Sequence, residues 1–262
     1  MDNLLIYLMV GAFVGIIAGL FGVGGGLIIV PVLAIIFKYQ GVVNDIIMHL
    51  AIGTSLATII PTSISSVIAH HRHGAVLWPA FMRLSPGILI GAFVAAYIAD
   101  QISSDTLKIG VGVFVAVVAI KMFFDIKPKP RRELPGKTGM TLAGSVIGVV
   151  SALIGIGGGI LTTPFLLWCN KTIRNAIATS AACGLPIAIA GAAGYIKTGL
   201  NSPMLPELSS GYVYWPAFIG ICLASVVFAP VGARLTHKLP VDLLRKCFAL
   251  LLAVIGIRLL LL

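Results

Sequence analysis

Charged residues are scarce in this chain of 262 residues: only 10% are Asp, Glu, Lys or Arg, against about 25% in a typical soluble domain. The apolar residue types make up 59% of the sequence. A soluble fold of this length cannot hide so many apolar side chains, because most of its surface must face water. The composition therefore excludes an ordinary soluble domain and indicates a protein whose solvent is lipid.

Acidic residues are missing from the middle of the apolar runs. All eight Asp and Glu residues fall at or near the ends of those runs or in the loops between them. Carboxylates buried within a membrane are the usual sign of proton coupling. Their absence disfavours a carboxylate proton relay, and it also disfavours a metal-cation or organic-cation substrate.

Patterns of catalytic and metal-binding residues are lacking as well. The four cysteines form no CxxC pair, and their isolated spacing supports neither a metal site nor a disulfide framework. Neither an HExxH pattern nor a Ser/His/Asp constellation occurs. The sequence therefore predicts a protein without a cofactor or a metal, and it disfavours an enzyme.

Basic residues outnumber acidic ones by 18 to 8, which gives a formal net charge of +10. In a soluble protein this excess would suggest nucleic-acid binding. Here the Lys and Arg residues lie in short loops between apolar runs, where they set the orientation of a membrane protein. We therefore expect lipid and a small anion as partners, and no nucleic acid. A homodimer is a further candidate assembly.

Eight apolar runs cover most of the chain, at approximately 4–37, 46–69, 76–99, 106–124, 138–169, 175–197, 213–236 and 241–262. Most are near the ~20 residues that a helix needs to cross the hydrocarbon. The first and fifth runs are too long for one crossing, and each contains a glycine cluster followed by a proline, Pro31 or Pro164. We predict that each long run is a helical hairpin broken at its glycines, with a short second arm.

The two long runs are copies of each other. Gly22–Pro31 reads GVGGGLIIVP, and Gly155–Pro164 reads GIGGGILTTP with the same spacing. Two further matches follow in order, IGTSLA with IATSAA and WPA with WPA, and they begin at Ile52, Ile177, Trp78 and Trp215 respectively. Three collinear matches indicate an internal duplication.

A polar, basic stretch at 127–137 is the one long hydrophilic linker, and it joins the two copies. We therefore divide the chain into a first transmembrane repeat at 1–126, the linker at 127–137 and a second transmembrane repeat at 138–262. The N-terminal run lacks a basic start and a small-residue cleavage site. We interpret it as the first membrane segment rather than a cleaved signal peptide.

The distribution of basic residues distinguishes two topologies, because positive loops stay in the cytoplasm. If each half made four simple crossings, the halves would be parallel and 10 of the 18 basic residues would be cytoplasmic. If the long runs are hairpins, the halves are inverted and 14 of the 18 are cytoplasmic. The count favours inverted repeats, a common architecture of secondary transporters, with the linker inside and both termini outside.

The glycine clusters are the first candidate site. Glycine weakens a helix by about 1 kcal/mol relative to alanine, and broken backbone in a membrane is tolerated only where it is buried in protein or lines a cavity. The half-helix that follows presents N–H groups at the positive end of its dipole, which suits an anion. Tight helix packing through small-xxx-small patterns is the alternative. The glycines expected to line a substrate path near the bilayer midplane are Gly24, Gly25, Gly26, Gly157, Gly158 and Gly159.

Two Thr-Ser pairs, Thr54-Ser55 and Thr179-Ser180, are the second candidate site. Each serine precedes a proline by six residues within an apolar run. The hydroxyls could bond the carbonyl that the proline frees, or they could bind an oxyanion, and both interpretations stay open. If they bind the anion, replacing either threonine by valine weakens binding and keeps the fold. His49 is interpreted as an interfacial histidine, with a proton carrier as the alternative.

The duplicated Gly-x-Gly-Gly-Gly-x4-Pro segment, the GTSLA run with its ATSAA partner and the basic linker resemble the sulfite exporter TauE/SafE family over essentially the whole chain. The resemblance implies a permease of the bacterial cytoplasmic (inner) membrane for small anions, often sulfur-containing, such as sulfite, sulfonates or related carboxylates. It also implies that the glycines and the Thr-Ser pairs named above are pathway residues. Ala178 stands where the first copy has Gly53, so the two halves need not be equivalent.

We therefore predict an all-α integral membrane protein of two homologous, inverted halves, each a glycine-broken hairpin plus three transmembrane helices. Three functions remain compatible with it: a secondary transporter that works by alternating access, a membrane-embedded enzyme or assembly factor, and a passive anion channel. The duplicated broken helices favour the transporter. The sequence contains no recognisable ATPase, so transport would be coupled to an ion gradient, the membrane potential or a substrate gradient.

Overall fold

The structure is a computed structural model, and it describes residues 2–21, 25–125, 133–236 and 241–261. In chain order the elements are α1 (Asp2–Phe21), α2 (Gly26–Tyr39), α3 (Asn44–Arg72), α4 (Trp78–Asp100), α5 (Ser104–Phe123), α6 (Lys137–Ile154), α7 (Gly159–Trp168), α8 (Ile173–Gly199), β1 (Ser209–Ser210), β2 (Val213–Tyr214), α9 (Trp215–Thr236) and α10 (Val241–Leu260). The two short strands pair antiparallel, with Ser209 opposite Tyr214.

Most of the chain is helical, as the apolar runs predict. Within the described residues, α3, α4, α5, α6 and α8 are long and apolar enough to cross a membrane, and shorter apolar stretches occur in α1, α2, α7 and α9. Many large apolar side chains point outward, among them Ile90, Val117 and Leu250. Such a surface suits lipid rather than water. The prediction of an all-α, multi-pass membrane fold is confirmed.

Both long runs are interrupted at their glycines. The first run gives α1, which ends at Phe21, and α2, which begins at Gly26. The second gives α6 and α7, and α6 ends at Gly155, whose φ of 76° is the left-handed conformation that glycine adopts without strain. The ten-residue α7 is about 15 Å long, half the thickness of the hydrocarbon. Each of the other six runs forms one helix, so the predicted breaks are confirmed.

The first broken hairpin returns to the end of the bundle from which it starts. Tyr7, near the beginning of α1, donates its hydroxyl to Oε1 of Gln40, just past the end of α2, at 2.7 Å. The rings of Tyr7 and Phe37 both contact Tyr214, with centroids 6.0 and 5.7 Å away. We call this end, which also carries Asp100 and Tyr212, the far end.

The second broken hairpin starts from the opposite end. Thr141, near the beginning of α6, donates its hydroxyl to the carbonyl oxygen of Arg83 near the beginning of α4 at 3.3 Å. Arg174 follows α7 and donates to the carbonyl oxygen of His73 at 3.0 Å. We call this end, where α3 ends and α6 begins, the linker end. The two hairpins thus enter the bundle from opposite ends and meet in its interior.

Equivalent glycines make equivalent contacts in the two halves. Gly15 of α1 packs so closely on α9 that an added methyl group would lie 2.7 Å from the Ser225 oxygen, and Gly148 of α6 packs on α4, where it would lie 2.5 Å from the Ile88 oxygen. The α1–α9 and α4–α6 contacts correspond under the duplication. Close approach of this kind is how helices associate in lipid.

Two of the sequence predictions concern residues outside the described ranges. Gly24 is one of them, and residues 127–132 of the linker are the other. The proposed division at 1–126, 127–137 and 138–262 stays a prediction. The described helices agree with it, because α5 ends at Phe123 and α6 begins at Lys137.

Candidate functional site

A cavity of about 340 Å³ lies beside the second glycine break. Helices α3, α5, α7, α8 and α10 surround it, so both halves of the chain contribute to its wall. Its polar and charged lining residues are Thr62, Ser63, Ser66, Lys121, Asp125, Thr163, Ser180 and Arg245. The volume lies at the lower end of the range for small-molecule sites.

The N-terminus of α7 faces this cavity. Gly157, Gly158 and Gly159 all line it, as does Ile160. The first backbone hydrogen bond of the helix runs from the Thr162 N–H to the Gly158 oxygen at 2.9 Å. The N–H groups of residues 159–161 precede that bond and, as at every helix start, have no acceptor within the helix. They leave the positive end of the α7 dipole at the cavity wall.

Ser180 lines the same wall and carries a buried hydroxyl. It lies on α8, is only 1% exposed and lines the cavity. Its Oγ has no hydrogen-bond partner among the residues that the structure describes. Buried hydroxyls are normally bonded, so an unpartnered one beside a cavity is suited to meet a ligand or water.

Ser55 occupies the position in the first half that corresponds to Ser180, but its environment differs. Its hydroxyl donates to the carbonyl oxygen of Gly155 at 2.8 Å, and the side chain is fully buried. The bond ties α3 to the residue at which α6 ends. Ser55 therefore supports the shape of the second break and is not among the residues that line the cavity.

The two threonines make equivalent contacts, one in each half of the chain. The Thr54 hydroxyl accepts the Tyr214 N–H at 3.0 Å, and the Thr179 hydroxyl accepts the Leu77 N–H at 2.9 Å. Tyr214 and Leu77 directly precede the two WPA sequences, so each half holds the start of a helix in the other half. Both threonines are fully buried and lie outside the cavity lining. Their role as substrate ligands stays a prediction of the sequence, but the contact that each threonine makes here favours a structural role.

The first glycine cluster packs directly on the second. An added methyl group at Gly26 would lie 2.9 Å from the Gly155 oxygen and 3.1 Å from the Ile156 Cα atom. Gly25, with φ of 74°, precedes α2 in the left-handed conformation. Neither Gly25 nor Gly26 is among the residues that line the cavity, although their neighbour Leu27 is. The two breaks therefore meet, and among their described glycines only those of the second break line this cavity.

Several lining residues escaped the sequence interpretation. The cavity is lined by three hydroxyl residues that follow Pro61 on α3, namely Thr62, Ser63 and Ser66. This hydroxyl-rich stretch of an apolar run could have indicated a polar cavity from the sequence. Lys121 and Arg245 were assigned to loops or helix ends, yet both line the linker-end mouth of the cavity together with Asp125. Among the described residues, no three His, Cys, Asp or Glu side chains converge as metal ligands.

A small polar network lies at the far end. His49, 4% exposed, donates its Nε2 proton to the Ala99 oxygen at 2.9 Å, since a carbonyl can only accept. Its ring lies 5.0 Å from that of Tyr212, whose hydroxyl donates to Oδ1 of Asp100 at 3.2 Å. Burial, reinforced by Asp100, raises the pKa of Tyr212, so this hydroxyl stays protonated and donates. The network joins α3, α4 and the β1–β2 turn at the far end of the bundle.

Helices of spanning length, two broken hairpins that meet in the interior and a polar cavity between the halves define a multi-pass membrane transporter. A profile for the family described as sulfite exporter TauE/SafE matches residues 7–259. The chain belongs to this family.

Curated relatives agree with that class. A Haemophilus influenzae protein named "Probable membrane transporter protein" is 38% identical over 256 residues, which is 97% of each chain. A Methanocaldococcus jannaschii protein given the same description is 28% identical and covers 97% of this chain and 94% of its own. YdhB of Bacillus subtilis is 26% identical and covers 98% of this chain and 100% of its own. No solved structure is significantly similar.

Proposed function

We propose that the chain is a secondary transporter that moves small oxyanions across the bacterial cytoplasmic membrane by alternating access. Sulfur-containing anions, namely sulfite, sulfonates or related organic acids, are the proposed cargo. One observation carries the proposal: Ser180, whose buried hydroxyl has no partner among the described residues, and the N-terminus of α7 line the same cavity. Both are hydrogen-bond donors, and an oxyanion offers several acceptors at once.

The charges around the cavity support an anionic cargo. Lys121 and Arg245 line its mouth, and Asp125 is the one carboxylate among the described lining residues, so the mouth carries a net positive charge. The inner wall is made of glycine backbone, hydroxyls and apolar side chains. Such a wall offers little to a metal cation, which needs several oxygen or nitrogen ligands.

The arrangement of the two ends supports alternating access. The cavity reaches the linker end, and none of its described lining residues belongs to the far end, where His49, Tyr212 and Asp100 form their polar network. If the basic linker is cytoplasmic, this conformation faces the cytoplasm. A cavity that reaches one end favours a transporter over an open channel. Hairpins that enter from opposite ends suit inverted repeats, whose exchange of conformation would open the far end.

Ser180→Ala is expected to weaken anion binding about 10- to 150-fold, because a hydrogen bond to a charged group contributes roughly 1.5–3 kcal/mol. The variant should keep wild-type thermal stability, since the hydroxyl has no partner to lose among the residues that the structure describes. Isothermal titration of the purified protein with sulfite, thiosulfate, a short sulfonate and a short carboxylate measures both affinity and selectivity.

Thr179→Val is the matched control for Ser180→Ala. It removes the neighbouring hydroxyl, which is bonded to the Leu77 N–H and lies outside the cavity lining. We expect it to lower the free energy of unfolding by about 1–3 kcal/mol, the cost of an unsatisfied buried donor, and to leave anion affinity unchanged. Wild-type affinity in Ser180→Ala, or a loss of affinity only in Thr179→Val, would contradict the proposed site.

Both termini are expected to face the periplasm, because the inverted arrangement puts 14 of the 18 basic residues inside. A phosphatase fused after Leu262 should be active, and a fluorescent protein that folds only in the cytoplasm should be dark there. A cysteine introduced at Gly136, within the linker, should resist an impermeant label in intact cells. An inactive phosphatase fusion together with a fluorescent fusion that is bright at the same position would reject the inverted topology.

A further inference from the structure

We propose that the Asp125 carboxylate competes with anions from solution for Arg245. Only an oxyanion that can replace a carboxylate on the guanidinium then enters the cavity through its linker-end mouth, and chloride is excluded. The inference rests on the proposed anion transport for its biological meaning. The ion pair and its predicted effect on halide binding can be tested without knowing the transported anion.

The ion pair joins the two halves across the mouth of the cavity. Asp125 follows the end of α5, Arg245 lies in the first turns of α10, and the two side chains form a salt bridge. Both residues also line the cavity. The side chains of Arg245 and Asp125 are 21% and 37% exposed, so the pair is partly withdrawn from solvent and less screened than a surface pair.

The backbone holds Asp125 in its place. Its φ is 52°, the left-handed conformation that Asp tolerates better than most residues, and its N–H donates to the Met122 oxygen at 3.3 Å. A carboxylate fixed in this way acts at a high effective concentration, in the millimolar range or above. An anion from solution must compete with it for Arg245.

The chemistry of the pair decides which anions can compete. A guanidinium presents its N–H groups as a planar fork, which binds two oxygens of a carboxylate or phosphate together. Sulfonates and sulfite also present two neighbouring oxygens. Chloride offers a single contact, so it gains less from the guanidinium fork than an oxyanion does, and Asp125 keeps it out at millimolar concentrations. An oxyanion can displace Asp125 from Arg245. As it moves further into the cavity, it can then accept hydrogen bonds from the donors of the inner wall.

The duplication provides a comparison at the far end. SDTLK at 104–108 corresponds to VDLLR at 241–245, so Lys108 is the counterpart of Arg245. Lys108 bonds Asp105 at 2.9 Å within its own helix, and the Asp105 side chain is 82% exposed. A pair whose carboxylate is so exposed is weak, although Lys108 itself is 22% exposed, and it spans no gap between elements. The structure therefore assigns the filtering role to the linker end.

The test measures chloride binding to the purified protein by thermal stabilisation, with gluconate as the inert anion. Wild type should gain no stability from chloride up to tens of millimolar, whereas Asp125→Asn should bind chloride with an apparent affinity at least about tenfold higher. Asp125→Gly is the second carboxylate-free variant, and glycine suits the positive φ, so a folding defect in one variant does not decide the result. Asp105→Asn is the matched control and should behave as wild type.

Arg245→Gln combined with Asp125→Asn should lose the new chloride response, because the captured anion needs the guanidinium. Chloride binding that is unchanged in both Asp125 variants, or that survives in the double variant, would overturn the inference. Its failure is distinguishable from failure of the proposed function. If the proposed function is wrong and no oxyanion is transported, Asp125→Asn can still show the chloride response. The response should also persist when Ser180→Ala removes oxyanion binding, because it depends on Arg245 and not on Ser180.

Discussion

Gly157→Leu is expected to abolish transport while the protein stays folded. Gly157 lines the cavity, and an added Cβ atom would have its nearest neighbour, Cγ2 of Ile59, at 3.6 Å, an ordinary van der Waals contact. Its φ is not positive, so a side chain is not strained. The leucine side chain would occupy the space in front of the α7 N-terminus and exclude the anion. We expect at least a 100-fold loss of transport rate, equivalent to about 2.7 kcal/mol.

Two glycine variants separate cavity filling from helix packing. Gly110→Leu is the neutral control, because Gly110 is exposed on α5 and an added Cβ atom meets none of the described residues within 4 Å. Gly158→Ala is the packing control: its Cβ atom would lie 2.8 Å from the Ser180 oxygen, so α7 and α8 must separate. Size-exclusion profiles and melting curves should match wild type for Gly157→Leu and Gly110→Leu. A folded Gly157→Leu protein that transports at the wild-type rate would remove the cavity from the pathway.

Gly148→Leu is expected to prevent the protein from folding. An added Cβ atom would lie 2.5 Å from the Ile88 oxygen and 2.9 Å from the Ala92 nitrogen, both in the backbone of α4. Backbone atoms cannot swing aside, so α4 and α6 must move apart and lose the close packing that holds helices together in lipid. We expect the free energy of unfolding to fall by more than about 3 kcal/mol, the upper range for overpacking.

The equivalent change in the first half provides an internal check. Gly15→Leu should fail in the same way, because its Cβ atom would lie 2.7 Å from the Ser225 backbone of α9. Expression in membranes, followed by detergent extraction and size exclusion, measures the folded fraction. Recovery of monodisperse Gly148→Leu protein with a wild-type melting temperature would show that the α4–α6 contact is not as close as described.

The sequence predicted the helices and their breaks because membranes impose strong rules. A span needs about 20 apolar residues, and glycine clusters with a following proline interrupt it, so the number of helices and the positions of the breaks followed from local pattern. The meeting of the glycine breaks also followed, once duplication was recognised. Gly26 against Gly155 is that contact.

The roles of individual hydroxyls could not be predicted from the sequence. Thr54 and Ser180 look alike in their local patterns, yet Thr54 bonds the Tyr214 N–H of the other half, while Ser180 is left without a partner among the described residues. Which hydroxyl stays unpaired depends on contacts between residues more than 100 positions apart. For the same reason the ion pair of Arg245 with Asp125 could not be predicted, because the two residues lie far apart in the sequence and meet only in the folded protein.

The asymmetry between the halves also depends on conformation. Ser55 and Ser180 correspond in sequence, but Ser55 bonds the Gly155 oxygen and Ser180 faces a cavity. If the chain works by alternating access, its two repeats differ in any one conformation, so equivalent residues meet different surroundings. A duplicated sequence therefore predicts a pair of candidate sites, and the conformation decides which of them is exposed.

Uptake into proteoliposomes tests the central claim most directly. Vesicles that contain wild-type protein are given labelled sulfite, thiosulfate, a short sulfonate or a short carboxylate, alongside empty vesicles and vesicles with Gly157→Leu. The account predicts saturable uptake of at least one oxyanion by wild type, competition by the others and uptake no faster than in empty vesicles for Gly157→Leu. Wild-type protein that is folded yet moves no member of the panel, or Gly157→Leu protein that moves it equally fast, would contradict the account.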